Sequence, residues 1–314
     1  TMKWGFYMYE AAWSDSSDTA LLIGDTTNVF DLFRVRFRFA PDEEGPWQFA
    51  VTVKAPHTHT AMGSTLPPIE STGFSFVCDP PLPDNKGRLS VNDANHRTLK
   101  FETGEPFFGL GTNMADIHRR DAPGFGEDLH QRDFNVMRQT MEQLHEMGGN
   151  YLRMFLMRNL FAPEWVNLGV YDQFIVPVVC DLSESLNDPN CDRGWSTGHK
   201  GNCQYQCWAF DKMVEHARAN NIYIQLCIDP YGPGIAFEKL LWGPHPYVIN
   251  YLDPQPTRPF DVKEFFYTNG DPDSTDSGVF YFWKRRYKYI MSRWGYSVNV
   301  PIIEPTNEVD QMLT

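Results

Sequence analysis

From about residue 100 onward, strand-like and helix-like patterns alternate along the chain, and this alternation constrains the fold more than any other feature. Four short apolar runs have the length and composition of strands, at residues 105–113, 150–157, 222–229 and 300–304. A stretch with apolar residues at three- and four-residue spacing precedes each of the last three, at residues 132–150, 207–221 and 280–295. Strands separated by helices are joined by right-handed crossovers and pair in parallel. We therefore expect an α/β fold with a parallel sheet.

Two architectures contain such units, a small doubly wound sheet and the first half of a (β/α)8 TIM barrel. The polar residues at the strand ends distinguish them. Side chains that could do chemistry lie at or after the ends of the four strands: Asn113, Arg153, Asp229, Tyr231, Asn307 and Glu308. Barrel enzymes build their active sites at the carboxyl ends of their strands. We therefore interpret residues 101–314 as the N-terminal half of a barrel, with strands one to four. The run GLGTNM lacks the third glycine of a phosphate cradle, so no nucleotide site is expected.

The first hundred residues have a period of two, which is typical of strands with one buried face. In FRVRFRFAPDEEGPWQFAVTV, large apolar residues alternate with arginine before the turn PDEEG and alternate again after it. We expect a hairpin here and, with the runs GFSFVCD and GRLSVND, a small antiparallel β-sandwich. The predicted domains are an immunoglobulin-like β-sandwich at 1–80, a linker and lead-in strand at 81–100, and the half-barrel at 101–314.

Charge and composition exclude several partners. The formal net charge of −13 argues against nucleic acid or an anionic membrane, which require a basic surface. No apolar run approaches the roughly 20 residues that span a bilayer, and the first residues, TMKWGFYMYE, do not resemble a signal peptide. Aromatic residues reach 15% of the chain. This content fits either a large aromatic core or a cleft in which sugars stack, and the sequence leaves both open.

Four cysteines, Cys180, Cys191, Cys203 and Cys207, fall in one stretch rich in Ser, Asn, Asp and Gly. Disulfides in an oxidising compartment are one interpretation, and a zinc site is another. The spacing matches no standard zinc motif well, so we favour at least one disulfide, of unassigned pairing. This predicts a secreted, periplasmic or cell-surface protein.

Three segments carry a family resemblance. The run SRWGYSVNVPIIEPTNEVD, at 292–310, resembles the fourth-strand region of the clan A glycoside hydrolases, retaining (β/α)8 enzymes that include the family 5 cellulases and mannanases. The run GGNYLRMFL, at 148–156, resembles their second strand. The alternating segment around residues 33–49, with GFSF and KGRLSV, resembles the small β-sandwich that precedes such barrels in bacterial polysaccharide-degrading proteins.

The resemblance implies a retaining glycoside hydrolase that acts on a plant, algal or microbial polysaccharide or oligosaccharide. It implies that Glu308 is the general acid/base, that Asn307 binds the sugar and that Arg153 lies beneath the site. The family's nucleophile is a glutamate ending the seventh strand, which places it beyond residue 314. The third strand ends in CIDPYG, without the histidine often found nearby in cellulases, so the substrate class stays open. A non-catalytic carbohydrate-binding or adhesion protein is the alternative.

Further residues are expected to support the site. Asn113 and Asp229 are candidates for binding substrate, and Trp195, Tyr231 and Trp242 offer aromatic faces on which pyranose rings can stack. Ordinary packing of each aromatic residue is an equal alternative. Glu304 is expected to pair with Arg153 as structural support, and Asp310 to cap the next helix. No cofactor and no catalytic metal are expected, although the acidic run NGDPDSTDSG could hold a structural ion. The oligomeric state is not predicted.

Overall fold

The structure is a computed structural model of the chain. It describes the following residues: 6–9, 11–14, 19–22, 33–53, 69–114, 129–156, 168–171, 174–177, 202–229 and 278–307. The chain divides into two compact units, each of which has most of its residue contacts within itself. One contains Thr1–Phe39 together with Arg88–Thr314, and the other contains Ala40–Gly87. The second unit ends with the Pro-rich stretch 79–87. The predicted boundaries at residues 80 and 100 differ from this division and stay a prediction.

The N-terminal strands form two-stranded antiparallel sheets. Strand β1 (Phe6–Tyr9) pairs with β4 (Phe33–Arg36), and β2 (Ala11–Ser14) pairs with β3 (Thr19–Leu22). In the second unit, β5 (Gly45–Val53) pairs with β6 (Ile69–Cys78), with a register shift between Phe49 and Val51. A sandwich of two packed sheets is not seen in these described strands and stays a prediction.

The predicted hairpin across PDEEG is wrong. Its two strands exist, as β4 and β5, but β4 pairs with β1 and β5 pairs with β6. The division between the two compact units, at Phe39 and Ala40, falls just before the predicted turn. The two strands therefore belong to different units, and each has a more distant partner along the chain.

A four-stranded parallel sheet forms the centre of the larger unit. Its strands β10 (Gly111–Met114), β11 (Tyr151–Phe155), β14 (Tyr223–Asp229) and β15 (Ile302–Thr306) lie in the order in which they occur in the sequence. Helices α1 (Leu129–Glu146), α2 (Asn202–Ala219) and α3 (Gly278–Trp294) connect them. The remaining pair, β12 (Leu168–Tyr171) and β13 (Phe174–Pro177), is antiparallel. The predicted mixed α/β fold is confirmed.

Two predicted boundaries need correction. The first strand does not run from 105 to 113: Pro106–Phe107 is a separate antiparallel strand, β9, and the parallel strand begins at Gly111. A Cβ at Gly111 would lie 1.6 Å from the carbonyl oxygen of Tyr151, so only glycine allows this close approach of β10 to β11. Helix α2 begins at Asn202. The helical stretch predicted to start at residue 207 therefore starts five residues earlier, and Tyr205 lies within the helix.

The helix patterns predict the core correctly. Met137 and Met141 on α1 are buried, as are Phe210 and Met213 on α2. Helix α1 ends just before a Gly-Gly pair, where Gly148 has a φ of 80° and the amide of Gly149 donates to the carbonyl of Leu144. Alternate residues of the strands, such as Leu152 and Leu226, are fully buried as well, and α2 contacts β14.

A three-stranded antiparallel sheet packs at the amino ends of the parallel strands. It consists of β7 (Leu89–Val91), β8 (Leu99–Phe101) and β9. Phe101 and Phe107 from this sheet form a buried aromatic cluster with Tyr223, the first residue of β14, and Tyr151 packs against it. The ring centroids of Phe101 and Tyr223 are 5.2 Å apart. The amino ends of the central strands are therefore covered by apolar side chains.

A buried ion cluster joins helices α2 and α3 to the segment after β4. Asp211 on α2 accepts hydrogen bonds from Arg293 Nη2 at 2.7 Å and from Arg38 Nη1 at 2.6 Å. The indole Nε1 of Trp294 also donates to it, at 2.8 Å. Burial alone would raise the pKa of Asp211, but the charges of Arg293 and Arg38 hold it below its usual range. The N-terminal segment is thus anchored on the helical layer of the larger unit.

No described helix is both long and apolar enough to cross a membrane.

Candidate active site at the carboxyl ends of the parallel strands

The register of the parallel sheet brings polar residues from adjacent strands into one row. Asn113 on β10 lies opposite Arg153 on β11, which in turn lies opposite Gln225 on β14. On the last strand, Glu304 pairs with Cys227, two residues further toward the carboxyl end. Paired residues in parallel strands project from the same face of the sheet. These side chains therefore share one face.

Alternation along β11 places Arg153 on the less buried face of the sheet. Leu152, Met154 and Leu156 are fully buried, whereas Tyr151, Arg153 and Phe155 are only partly buried. Because side chains of a strand alternate between its two faces, the first set lies on the buried face of the sheet. The second set lies on the opposite face, where the Arg153 guanidinium stands 4.5 Å from the centre of the Phe155 ring. Arg153 is therefore available to polar partners across the sheet.

Arg153 binds two residues of β15 and the segment after it. Its Nε lies 2.7 Å from Oε2 of Glu304, and its Nη2 lies 2.6 Å from Oε1, a two-pronged ion pair. Nη2 also donates to the side-chain oxygen of Asn307, at 2.6 Å. Glu304 thus pairs with Arg153 as the sequence predicted. Arg153 therefore connects β11 with the residues at the end of β15.

Two further residues extend this network. Gln225 donates from Nε2 to Oε2 of Glu304, at 2.7 Å. Its side-chain oxygen accepts a hydrogen bond from the hydroxyl of Tyr151. The carboxylate of Glu304 therefore receives three hydrogen bonds, and side chains from three strands form one connected chain. We call Tyr151, Gln225, Glu304, Arg153 and Asn307 the cross-strand network.

The charges of the network stabilise each other. Hydrogen bonds from Arg153 lower the pKa of Glu304 below its usual range, and the bond from Gln225 acts in the same direction. The same hydrogen bonds with Glu304 raise the pKa of Arg153. Burial raises the pKa of the Tyr151 hydroxyl. At neutral pH, Glu304 is therefore ionised, Arg153 is protonated and Tyr151 is a neutral hydrogen-bond donor. An ionised Glu304 is a hydrogen-bond acceptor and not an acid.

Side chains of α3 bind the backbone at the carboxyl ends of β11, β14 and β15. The Nη2 of the buried Arg286 donates to the carbonyl oxygens of Leu156 and Ile228, at 3.2 and 3.1 Å. The hydroxyl of Tyr287 donates to the carbonyl of Pro305. Backbone carbonyls at the ends of three strands thus have side-chain partners on one helix. This arrangement fixes the edge of the sheet from which the network projects.

The structure describes only some of the predicted site residues. Arg153 and Asn307 are in direct contact, and Asn113 lies exposed on the neighbouring strand, opposite Arg153 in the register. The backbone of Asp229 ends β14 and pairs with Thr306, one residue before Asn307. The remaining predicted residues lie outside the described part of the chain: Glu308, Tyr231, Trp242 and Trp195.

The sequence analysis missed Tyr151 and Gln225. Gln225 is the one amide in the otherwise apolar strand pattern IYIQLCI, and a polar residue within a buried strand is a signal that a partner exists. Tyr151 carries the weaker signal of sharing a strand face with Arg153 by alternation. Neither signal identifies Glu304 as the partner, because that requires the register of three strands.

The cysteines and acidic residues supply no metal site in the part of the chain that the structure describes, where no three His, Cys, Asp or Glu side chains cluster suitably. No disulfide is seen among the described cysteines, Cys78, Cys207 and Cys227. Cys180, Cys191, the side chain of Cys203 and the acidic run 269–278, except its last residue, lie outside the described part. The predicted disulfide stays a prediction.

Comparison with known proteins gives three structural likenesses. No protein-family model matches the chain, and no curated protein matches it. An inferred glycoside hydrolase from Bacteroides vulgatus ATCC 8482 is similar over 89% of this chain, with 16% identity and a TM-score of 0.46. A β-mannanase from the blue mussel Mytilus edulis is similar over 50%, with 17% identity and a TM-score of 0.28. A further glycoside hydrolase is similar over 48%, with 20% identity and a TM-score of 0.27. The chain spans 41%, 35% and 27% of these three proteins, less than half of each.

Proposed function

We propose that the protein is a retaining glycoside hydrolase with its active site at the carboxyl ends of the parallel strands. The observation that carries the proposal is the contact of Arg153 with both Glu304 and Asn307. It gathers polar groups at the edge of the sheet where barrel enzymes bind their substrates. Asn307 is followed directly in the sequence by Glu308, to which we assign the general acid/base role.

The strand order supports a barrel as the architecture. Strands β10, β11, β14 and β15 follow one another in the sheet as they do in the sequence. A doubly wound sheet reverses this order at a switch point, whereas a barrel adds each strand to the same side. The sheet β7–β9 packs at the amino ends of β11 and β14, which leaves the carboxyl ends for ligand. We propose that residues 101–314 are the first half of such a barrel.

The assigned roles follow from the chemistry of glycoside cleavage. A carboxylic acid must protonate the leaving oxygen while a carboxylate attacks the anomeric carbon from the opposite face. Glu308 is the proposed acid, and after departure of the leaving group it removes a proton from the water that releases the sugar. The nucleophile is proposed to be a glutamate beyond residue 314, as the clan resemblance implies. In a retaining enzyme the two carboxyl groups are about 5–5.5 Å apart.

Substrate binding is proposed to involve the exposed edge around the network. Asn307 would donate to the sugar 2-hydroxyl, and Asn113 and Asp229 stand at the ends of the two strands that flank β11. Trp195, Tyr231 and Trp242 are proposed to provide stacking faces for pyranose rings. The substrate is a polysaccharide or oligosaccharide, and no metal or cofactor takes part in the scheme.

The test is hydrolysis of a panel of hexasaccharides by the full-length protein. Cellohexaose, mannohexaose, xylohexaose and laminarihexaose cover common backbones, and release of reducing ends measures cleavage. Proton NMR of the first-formed product from the best substrate then gives its anomeric configuration. We expect cleavage with retention. An inverted first product would overturn the retaining mechanism, and tight binding of a hexasaccharide without cleavage would favour the non-catalytic alternative.

A further inference from the structure

The cross-strand network has only one possible direction of hydrogen bonding. Arg153 carries donors and no acceptor, and an ionised Glu304 carries acceptors and no donor. Gln225 must therefore present its NH2 group to Glu304, which leaves its oxygen facing Tyr151. Tyr151 must in turn act as a donor. The chemistry of the two charged residues thus fixes the orientation of both neutral ones.

The same argument fixes the amide of Asn307. Its oxygen faces Nη2 of Arg153 at 2.6 Å, because a guanidinium can only donate. The NH2 group lies on the other branch of the amide and is turned away from Arg153. Within the part of the chain that the structure describes, this NH2 group donates no hydrogen bond. Asn307 is therefore held in the orientation in which it offers donors to a ligand.

We propose that Tyr151, Gln225 and Glu304 are positioning residues, which act through Arg153 to hold Asn307 as a hydrogen-bond donor toward an acceptor oxygen of the substrate. This rests on the proposed function, which assigns the site to carbohydrate. Tyr151 and Gln225 keep Glu304 in place, and Glu304 holds the guanidinium by two of its nitrogen atoms. Because Nη2 already donates one of its hydrogens to Glu304, its second hydrogen is directed toward Asn307.

The physical basis is the fixed geometry of the guanidinium. A two-pronged contact with a carboxylate restrains both the position and the plane of the group. Arg153 can then direct a third hydrogen bond with little freedom to turn. If Glu304 loses one of its other donors, the carboxylate can shift and the plane of Arg153 shifts with it. A displacement of this kind at a substrate-orienting group costs activity without removing any residue that touches substrate.

The test uses three substitutions in the network and one outside it. Tyr151→Phe removes one hydroxyl, and Gln225→Met removes the amide at similar size. Asn307→Asp keeps an acceptor for Arg153 but removes the outward NH2 donor. The matched control is Tyr289→Phe, which removes a buried hydroxyl that accepts from Arg293 Nη1 at 2.7 Å in the ion cluster around Asp211.

The first readout is discrimination between a substrate and its 2-deoxy analogue. The probes are the 4-nitrophenyl glycoside of the best sugar in the panel and its 2-deoxy counterpart, compared by kcat/KM. The two glycosides differ in intrinsic reactivity, but this difference cancels when the ratio of their kcat/KM values is compared between a variant and the wild type. We expect the ratio to fall by about tenfold in Asn307→Asp and by about two- to tenfold in Tyr151→Phe and Gln225→Met, the range of a neutral hydrogen bond. Tyr289→Phe should leave it unchanged.

The second readout does not depend on turnover. The side-chain amide of Asn307 can be assigned in 1H–15N spectra as the signal lost in Asn307→Asp. Tyr151→Phe and Gln225→Met should shift this signal, and Tyr289→Phe should not. If the wild-type protein cleaves none of the glycosides, the proposed function fails, and this spectrum decides the positioning role by itself. An unmoved Asn307 signal in Tyr151→Phe would overturn the inference, even if Gln225→Met does not fold.

Discussion

The guanidinium of Arg153 reaches across strand β14 to hold the carboxylate of Glu304 through two hydrogen bonds, at 2.7 and 2.6 Å. The two residues are on β11 and β15, which are not neighbours in the sheet. Gln225, on the strand between them, donates to the same carboxylate. One carboxylate therefore joins three strands near the edge where Asn307 lies. The contact contributes both to the stability of the sheet and to the geometry of the proposed site.

The contribution of the two-pronged ion pair between Arg153 and Glu304 can be tested by a substitution that keeps the charge. In Arg153→Lys the ammonium cannot contact both oxygens of Glu304 and also Asn307 in the planar geometry of a guanidinium. We expect the free energy of unfolding to fall by about 1–3 kcal/mol, measured by urea denaturation. The control is Arg138→Lys, in a more exposed pair with Glu142 at 3.6 Å, where about 0–1 kcal/mol is expected. Equal losses in the two variants would contradict the account.

The ion cluster around Asp211 predicts a larger loss of stability. Asp211→Asn leaves the buried Arg293 without a carboxylate within the cluster described here. Breaking one side of a buried pair typically costs about 3–5 kcal/mol. The neighbouring Lys212→Met removes an exposed ion pair with Glu215 and should cost at most about 1 kcal/mol. A loss in Asp211→Asn no larger than that in Lys212→Met would show that the cluster is not a buried charge network.

The pH dependence of stability follows from the lowered pKa of Asp211. A carboxyl group with a lower pKa in the folded state stabilises the protein above its unfolded pKa, which for Asp is 3.8. This contribution is lost as the pH falls from that value toward the folded pKa. The stability difference between the wild type and Asp211→Asn should therefore be constant at neutral pH. Below pH 3.8 it should shrink, by up to about 1.4 kcal/mol per pH unit. A difference that grows on acidification would contradict the assigned direction of the pKa shift.

The cysteine-rich stretch gives a prediction about the environment of the protein. We propose at least one disulfide among Cys180, Cys191, Cys203 and Cys207 and, with it, a secreted, periplasmic or cell-surface location. Mass spectrometry of unreduced peptides from the natural source should recover a cross-linked pair. The finding that all four cysteines react as thiols before reduction would overturn both proposals.

The parts of the fold that depend on neighbouring residues could be predicted from the sequence. The helices over 132–150, 207–221 and 280–295 have apolar spacing that local geometry dictates, and the Gly148-Gly149 stop needs only a left-handed backbone. The start of α2 was misplaced because NCQYQC is too polar to display a helical period. The break at Gly109 and Gly111 was hidden in a continuous apolar run.

Features that depend on residues distant in the sequence could not be predicted in this way. The partners of β4 and β5 lie outside the hairpin that the turn PDEEG suggested, because pairing is decided by the packing of whole units. In the site, Arg153 and Glu304 were expected to pair. That Gln225 takes part in this contact could be recognised only from the strand register, which places it opposite Arg153.

The role of Glu308 as proton donor is the central claim, and leaving-group dependence tests it most directly. The measurement compares turnover of Glu308→Gln with the wild type on an unactivated hexasaccharide and on the 2,4-dinitrophenyl glycoside of the same sugar, with Asp310→Asn as control. Loss of a general acid should reduce turnover by about two to four decades on the hexasaccharide. The kcat/KM for the dinitrophenyl glycoside, which reports formation of the glycosyl-enzyme and not its hydrolysis, should be nearly unaffected, because that leaving group needs no proton. Near-wild-type turnover of the hexasaccharide by Glu308→Gln would contradict the account.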